Sequence, residues 1–70
     1  MKVELFYYDI AEEKYIFESP LKSTGDLFTP IEGDTLIVDG WGYIVARREF
    51  YYENGTTKIT VFCTRERKKR

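Results

Sequence analysis

The sequence contains no histidine, a single cysteine and two prolines. Without histidine the chain lacks the commonest general base, the imidazole triads and the usual zinc ligand. Cys63 alone can form neither an intrachain disulfide nor a zinc site, which needs several ligands. We therefore predict a protein that is not an enzyme and uses no metal or cofactor, with Cys63 as a buried, inert thiol.

Long apolar runs are also missing. No stretch approaches the roughly 18 apolar residues of a membrane-spanning helix, and acidic residues from Glu4 onward are not typical of a secretory signal. Together with the single cysteine, these absences predict a cytoplasmic protein without a membrane partner.

Charge is unevenly distributed along the chain. The net charge is −1, but residues 1–46 hold nine acidic residues against three lysines, whereas residues 47–70 hold eight basic residues against three acidic ones. Five basic residues cluster at the end of the chain: Arg65, Arg67, Lys68, Lys69 and Arg70. We predict one domain over residues 1–64 and a basic, disordered tail over residues 65–70.

Two strands are predicted near the start of the chain. Branched and aromatic residues dominate residues 2–10, with Val3, Leu5 and Tyr7 on one face. After a polar break, residues 15–17 resume the extended pattern, which predicts a first hairpin.

A long loop is predicted after the second strand. Two prolines and two glycines interrupt residues 19–34. Leu27 and Phe28 lie inside this loop, where they either fold back to fill one open end of a barrel or form part of a contact surface.

Tight hairpins are predicted in the second half. Residues 33–40 indicate a turn, a short strand and a second turn, and residues 41–52 can form one long strand. Asn54-Gly55 is the strongest hairpin signal, because this pair accepts the positive φ angles of a type I′ turn. Residues 57–64 would pair back onto the long strand.

The register of this hairpin needs a correction. A strict two-residue turn would place Ala46 opposite Cys63 and leave Val45 on the wrong face. A β-bulge between Val45 and Phe50, or a three-residue turn, would gather the apolar positions on one inner face: Tyr43, Val45, Ile59 and Val61. The predicted fold is therefore all-β, with a five-stranded, strongly bent antiparallel sheet forming a small, partly open barrel.

One segment resembles a known fold family. Residues 30–45 follow the pattern P-x-x-G-D-x-x-x-V-x-G-x-x-Y-x-V, formed by Pro30, Gly33, Asp34, Val38, Gly40, Tyr43 and Val45. This pattern resembles small bacterial and phage-type SH3-like β-barrel proteins of unassigned function. The resemblance covers about a quarter of the chain and implies an SH3-like barrel without implying an activity.

The Gly-Asp-x-x-x-Val part of the pattern also resembles Ser-Lys proteases. Those families need a serine shortly before the proline and a lysine on a later strand. This chain has Thr29 before Pro30, and Arg47 and Arg48 cannot be deprotonated to act as a base. The sequence therefore lacks the protease chemistry.

Aromatic residues are plentiful, at 17% of the chain, so strand alternation must leave some rings exposed. Some of these rings, such as Tyr8, Tyr52 and Phe62, can form ordinary cross-strand pairs. The functional interpretation is a partner-binding patch that comprises Phe28, Trp41, Arg47, Arg48, Phe50 and Tyr52.

Two functions follow from such a patch. The first is a small binding or adaptor module for a protein partner, including self-association as a homodimer through exposed strand edges. The alternative is an accessory nucleic-acid binder that uses Arg47, Arg48, exposed rings and the basic tail. The acidic body of the chain favours the first.

Overall fold

The computed structural model describes residues 2–23 and 29–69, with side chains for all of them except Ser23, Lys68 and Lys69. The described residues form six strands and no helix, which confirms the all-β prediction. The strands are β1 (Lys2–Asp9), β2 (Lys14–Tyr15), β3 (Leu21–Ser23), β4 (Thr35–Val38), β5 (Trp41–Glu53) and β6 (Thr56–Lys69). No helix long and apolar enough to cross a membrane occurs in these residues.

The strands form one open sheet in the order β2-β1-β6-β5-β4, with β3 also paired to β1. β1 runs parallel to β6, and the other pairs are antiparallel. The prediction of five antiparallel strands is therefore wrong in two respects. The parallel pair joins the first and last strands of the chain, a long-range contact that no local pattern reports.

The additional strand, β3, lies within the predicted long loop. Leu21 pairs with Leu5, and the three-residue strand begins directly after Pro20. So short a strand beside a proline gives no alternating signal of its own, and its pairing with β1 determines its conformation.

The first hairpin, between β1 and β2, is confirmed, with Tyr8 opposite Tyr15. The Asp9 carboxylate organises the turn, since Oδ1 accepts hydrogen bonds from the backbone N–H groups of Ala11 (3.0 Å) and Glu12 (3.2 Å). An aspartate that bonds the backbone two and three residues ahead stabilises such a turn.

The two tight turns that flank β5 are both confirmed, but the backbone angles of the Asn54-Gly55 turn differ from expectation. Asp39 (φ 50°) and Gly40 (φ 82°) both have positive φ, as a type I′ turn requires. In the Asn54-Gly55 turn, only Gly55 (φ 72°) has positive φ, so the type I′ prediction for Asn54-Gly55 is wrong.

The predicted bulge is confirmed and lies at Ala46. Val45 pairs with Cys63 and Arg47 pairs with Phe62, so Ala46 is the extra residue on β5. The bulge places all of the predicted inner positions in the core, which consists of Leu5, Tyr43, Val45, Ile59, Val61 and Cys63.

β6 extends beyond the predicted domain end at residue 64. Arg65 lies opposite Tyr43 and Lys69 lies opposite Trp41, with a register shift between these two pairs, so β6 continues to Lys69 where a disordered tail was predicted. The charged composition of this segment is typical of disorder, but the length of β5 gives it a backbone partner. Arg70 lies outside the described residues.

Candidate interaction surface

Among the described residues, one side of β5 is covered only along its first half. β4 pairs with β5 as far as Ile44. One step further, the Val45 N–H donates to the Asp34 carbonyl oxygen and the Val45 carbonyl accepts from the Gly33 N–H, both at 2.9 Å. Within residues 2–23 and 29–69, no strand pairs with β5 residues 46–53 on this side, and all eight of these side chains are exposed. We call residues 46–53 the free edge.

Backbone groups along the free edge alternate in direction. Glu53 and Thr56 flank the two-residue turn and pair with each other, as do Tyr51 and Lys58. In an antiparallel ladder that starts from such a turn, every second residue exchanges hydrogen bonds with the partner strand, and the residues between them point their N–H and C=O groups away from it. The outward-pointing residues are Arg48, Phe50 and Tyr52.

These three residues also share the inner face of the sheet. Arg48 lies opposite Val61 and Phe50 opposite Ile59, which are both core residues. The Arg48 guanidinium lies 5.2 Å from the centre of the Phe50 ring. Phe50 is 44% exposed and Tyr52 is 73% exposed, because this half of the hairpin extends beyond the core.

The outer face carries a row of aromatic rings with one arginine. Phe6 contacts Tyr15, Tyr15 contacts Tyr8, and Tyr8 contacts Phe62, with ring centres 5.1 to 5.9 Å apart. The Arg47 guanidinium lies 4.1 Å from the centre of the Phe62 ring and forms an ion pair with Glu49. Such contacts are ordinary cross-strand stabilisation.

A shallow groove of about 350 Å³ lies on this outer face. It is lined by Phe6, Tyr15, Glu49, Tyr51, Lys58 and Thr60. The groove reaches the free edge at Glu49 and Tyr51, so its aromatic walls extend the surface available to a strand bound there.

The structure divides the predicted partner-binding patch. Arg48, Phe50 and Tyr52 lie together on the inner side of the hairpin, whereas Arg47 lies on the outer side. Trp41 lies at the opposite end of β5, half-buried against the core, with the Arg65 guanidinium 4.7 Å from its ring. The predicted residue Phe28, like Leu27, lies outside the described residues.

The predicted basic tail forms contacts at the other end of the sheet. The Arg65 guanidinium lies 2.9 Å from the Glu12 carboxylate, and Arg67 is exposed on β6. Lys68 and Lys69 belong to β6 by their backbone. This end lies far from the free edge, since β5 spans 13 residues.

Tyr51 is the exposed aromatic residue of the free edge that the predicted partner-binding patch did not include. It is 61% exposed on the outer face, beside the groove. Its position between Phe50 and Tyr52 implies that it faces away from both. That alternation could have identified a second aromatic face of the hairpin.

A buried polar pair lies in the core beside β1. Asp9 is 1% exposed and lies opposite Cys63, and its buried Oδ2 atom has no hydrogen-bond partner among the residues that the structure describes. Burial, with a smaller contribution from Asp9, raises the pKa of the Cys63 thiol to about 11. Burial first, and then the neighbouring Cys63, raises the pKa of Tyr7. A thiol held in its protonated form is a poor nucleophile.

No cluster of three or more potential metal-ligating side chains (histidine, cysteine, aspartate or glutamate) occurs in the described part of the chain. Comparisons with protein-family models, with curated proteins and with solved structures found no match. The residues of the sheet itself are therefore the basis for a functional proposal.

Proposed function

We propose that this chain is a non-catalytic protein-binding module that accepts an extended polypeptide along the free edge of β5. The observation that carries this proposal is a stretch of eight exposed residues, 46–53, that no strand of the described part of the chain covers. An exposed strand edge is a row of unpaired backbone donors and acceptors, and adding a strand to it is a common mode of peptide recognition.

Side chains on both faces of the free edge suit a protein partner. Phe50 and Tyr52 flank the bound strand on the inner face, and Tyr51 flanks it on the outer face. Aromatic residues and arginine are enriched at protein interfaces, where large side chains supply contact area at low entropic cost.

The free edge has little protection against pairing. Natural sheets cover their edges or interrupt them with lysine, proline or bulges. Residues 46–53 contain no lysine or proline, and the bulge at Ala46 lies at one end. The ladder from Arg47 to Glu53 is regular, which leaves it available to a partner strand.

Accessory nucleic-acid binding is the second candidate, and the Arg47 guanidinium over Phe62 is the observation that favours it. Two arginines of that hypothesis already face carboxylates, namely Arg47 with Glu49 and Arg65 with Glu12. The basic residues of this hypothesis also lie at opposite ends of the sheet, with Arg47 and Arg48 at one end and Arg65 at the other, so they do not form one basic surface. The protein-binding proposal therefore has the stronger support.

The fold family and the location in the cell also belong to this proposal. We propose a distant relationship to SH3-like barrels, supported by the positive φ angles of Gly33 and Gly40 and by the burial of Tyr43 and Val45, all within the matching pattern. A buried free thiol at Cys63 suits the reducing cytoplasm.

A single proline substitution tests whether the partner binds by strand addition. The Phe50 N–H points away from β6, so Phe50→Pro removes an edge donor without removing a β5–β6 hydrogen bond. Phe50→Thr is the matched control, because it keeps the N–H and removes the ring. Peptides selected from a phage-displayed random library on the wild-type protein should bind Phe50→Pro at least about fivefold more weakly than Phe50→Thr.

Equal binding of the selected peptides to both variants would contradict strand addition. Circular dichroism of each variant checks that the sheet is intact. A salt titration with single-stranded and duplex DNA and RNA tests the second candidate, since phosphate-dependent affinity must fall steeply with salt. If the protein binds nucleic acid and the library yields no binding peptide, the second candidate replaces the protein-binding proposal.

A further inference from the structure

We propose that the partner at the free edge is a second copy of this chain, whose own residues 46–53 pair antiparallel with it across a two-fold axis. This inference rests on the proposed function and names the strand that the edge accepts. Two identical edges related by a two-fold axis run antiparallel, and each contact then occurs twice.

Backbone geometry restricts the register of such a pair. Only Arg48, Phe50 and Tyr52 point their N–H and C=O groups outward, so these residues must lie opposite one another in the two copies. If the axis passes through Phe50, Phe50 lies opposite its own copy and Arg48 lies opposite Tyr52. Three such pairs, each exchanging two hydrogen bonds, provide about six backbone hydrogen bonds.

Charge complementarity favours this register over its neighbours. With the axis at Phe50, Arg47 lies opposite Glu53 of the second copy, twice, so each of these contacts would join the intrachain ion pairs Arg47–Glu49 and Lys58–Glu53. Moving the axis by one residue places Glu49 opposite Glu49, or Glu49 opposite Glu53. Like charges directly opposite each other destabilise a sheet, whereas opposite charges stabilise it.

Side-chain contacts on the inner face also favour the register with the axis at Phe50. Each Arg48 would lie beside Tyr52 of the second copy, in a cation–π contact like the one it already makes with Phe50. The two Phe50 rings would meet at the axis, where each is now 44% exposed. The interface buries little area, so the dimer should be weak and dependent on concentration.

Paired charge reversals test the register. Sedimentation velocity of the wild-type protein, from about 5 µM to about 1 mM, should show a monomer–dimer equilibrium. Arg47→Glu and Glu53→Arg, each alone, place like charges opposite each other twice, and should raise the dissociation constant roughly 10- to 30-fold. An equimolar mixture of the two variants restores both opposite-charge pairs and should dimerise about as well as wild type.

Control variants separate this register from general charge effects. Arg67→Glu and Glu18→Arg reverse the same charge types at exposed positions outside the free edge, and they should leave the dimer unchanged. Phe50→Pro should abolish the dimer while preserving the circular dichroism spectrum.

Three results would overturn the inference: a wild-type protein that stays monomeric throughout, a dimer insensitive to Phe50→Pro, or a mixture that does not restore dimerisation. If the protein is monomeric and its selected peptides still depend on the Phe50 N–H, the second copy is excluded and the peptide-binding function stands. If neither dimerisation nor peptide binding depends on the Phe50 N–H, both proposals fail.

Discussion

Deleting Ala46 should remove the bulge without moving any core side chain. Val45 and Arg47 pair with Cys63 and Phe62, which are adjacent on β6. Joining Val45 directly to Arg47 therefore yields a regular ladder in which Val45 still faces inward. Ala46 is exposed, so we expect the free energy of unfolding to change by less than about 1 kcal/mol.

Deleting Val45 provides a matched control. It yields the same bulge-free ladder but places Ala46 opposite Cys63, so the two deletions differ only by valine or alanine at one inner position. Val45 is 1% exposed. Losing two buried carbons at about 0.8 kcal/mol each, plus the cavity they leave, gives a difference of roughly 2 to 3 kcal/mol.

Thermal and urea denaturation, followed by far-ultraviolet circular dichroism, measure this difference. For a domain of this size, the Val45 deletion should melt roughly 10 to 20 °C below the Ala46 deletion. Equal destabilisation by the two deletions would refute the reasoning, because it would show that the bend at the bulge, rather than the register of inward residues, maintains the core.

Three further predictions concern the turn, the thiol and the end of β6. Gly55 has φ 72°, so Gly55→Ala should cost about 1 to 2 kcal/mol, and an unchanged melting temperature would show that the turn adopts another conformation. Because the pKa of the Cys63 thiol is raised to about 11, its contribution to stability is complete below the ordinary thiol pKa and is lost as pH rises toward 11. Urea denaturation at a series of pH values should show that the free energy of unfolding falls by roughly 2 kcal/mol from about pH 8.5 upward. The fall should be smaller in Cys63→Ala, where the Tyr7 phenol still contributes. The same fall in both proteins would contradict the assignment. Removing residues 65–70 takes Arg65 away from Trp41, so the tryptophan emission should shift to longer wavelength and the melting temperature should fall, whereas a disordered tail would leave both unchanged.

Local sequence signals predict much of this fold. The alternation in β1, the glycine turns around β4 and the Asn54-Gly55 turn each depend on a few adjacent residues. The bulge was also predictable, because a two-residue turn and an inward Val45 conflict unless β5 gains one residue.

Long-range pairing could not be predicted in the same way. The parallel contact of β1 with β6 and the attachment of β3 to β1 join segments distant in sequence, and neither carries a periodic signal. The extension of β6 through residues 65–69 was missed because its charged composition resembles a solvated tail, whereas the pairing of Arg65 and Lys69 with β5 holds it in the sheet.

The candidate site likewise combines features that local sequence predicts with features that only the pairing of the strands determines. Sequence composition indicates surplus exposed rings and arginines, and Arg48, Phe50 and Tyr52 do lie together. Their availability depends on β4 ending opposite Ile44, which follows from the turn at Gly33 and is a property of the sheet rather than of any one segment.

Amide hydrogen exchange measured by NMR in dilute, monomeric protein tests the free edge most directly. The amides of Arg47, Glu49 and Tyr51 donate to β6 and should exchange slowly, whereas those of Arg48, Phe50 and Tyr52 point outward and should exchange rapidly. An alternating pattern is the predicted result. Uniform protection of all six amides would show that another part of the chain covers β5, and would contradict the account.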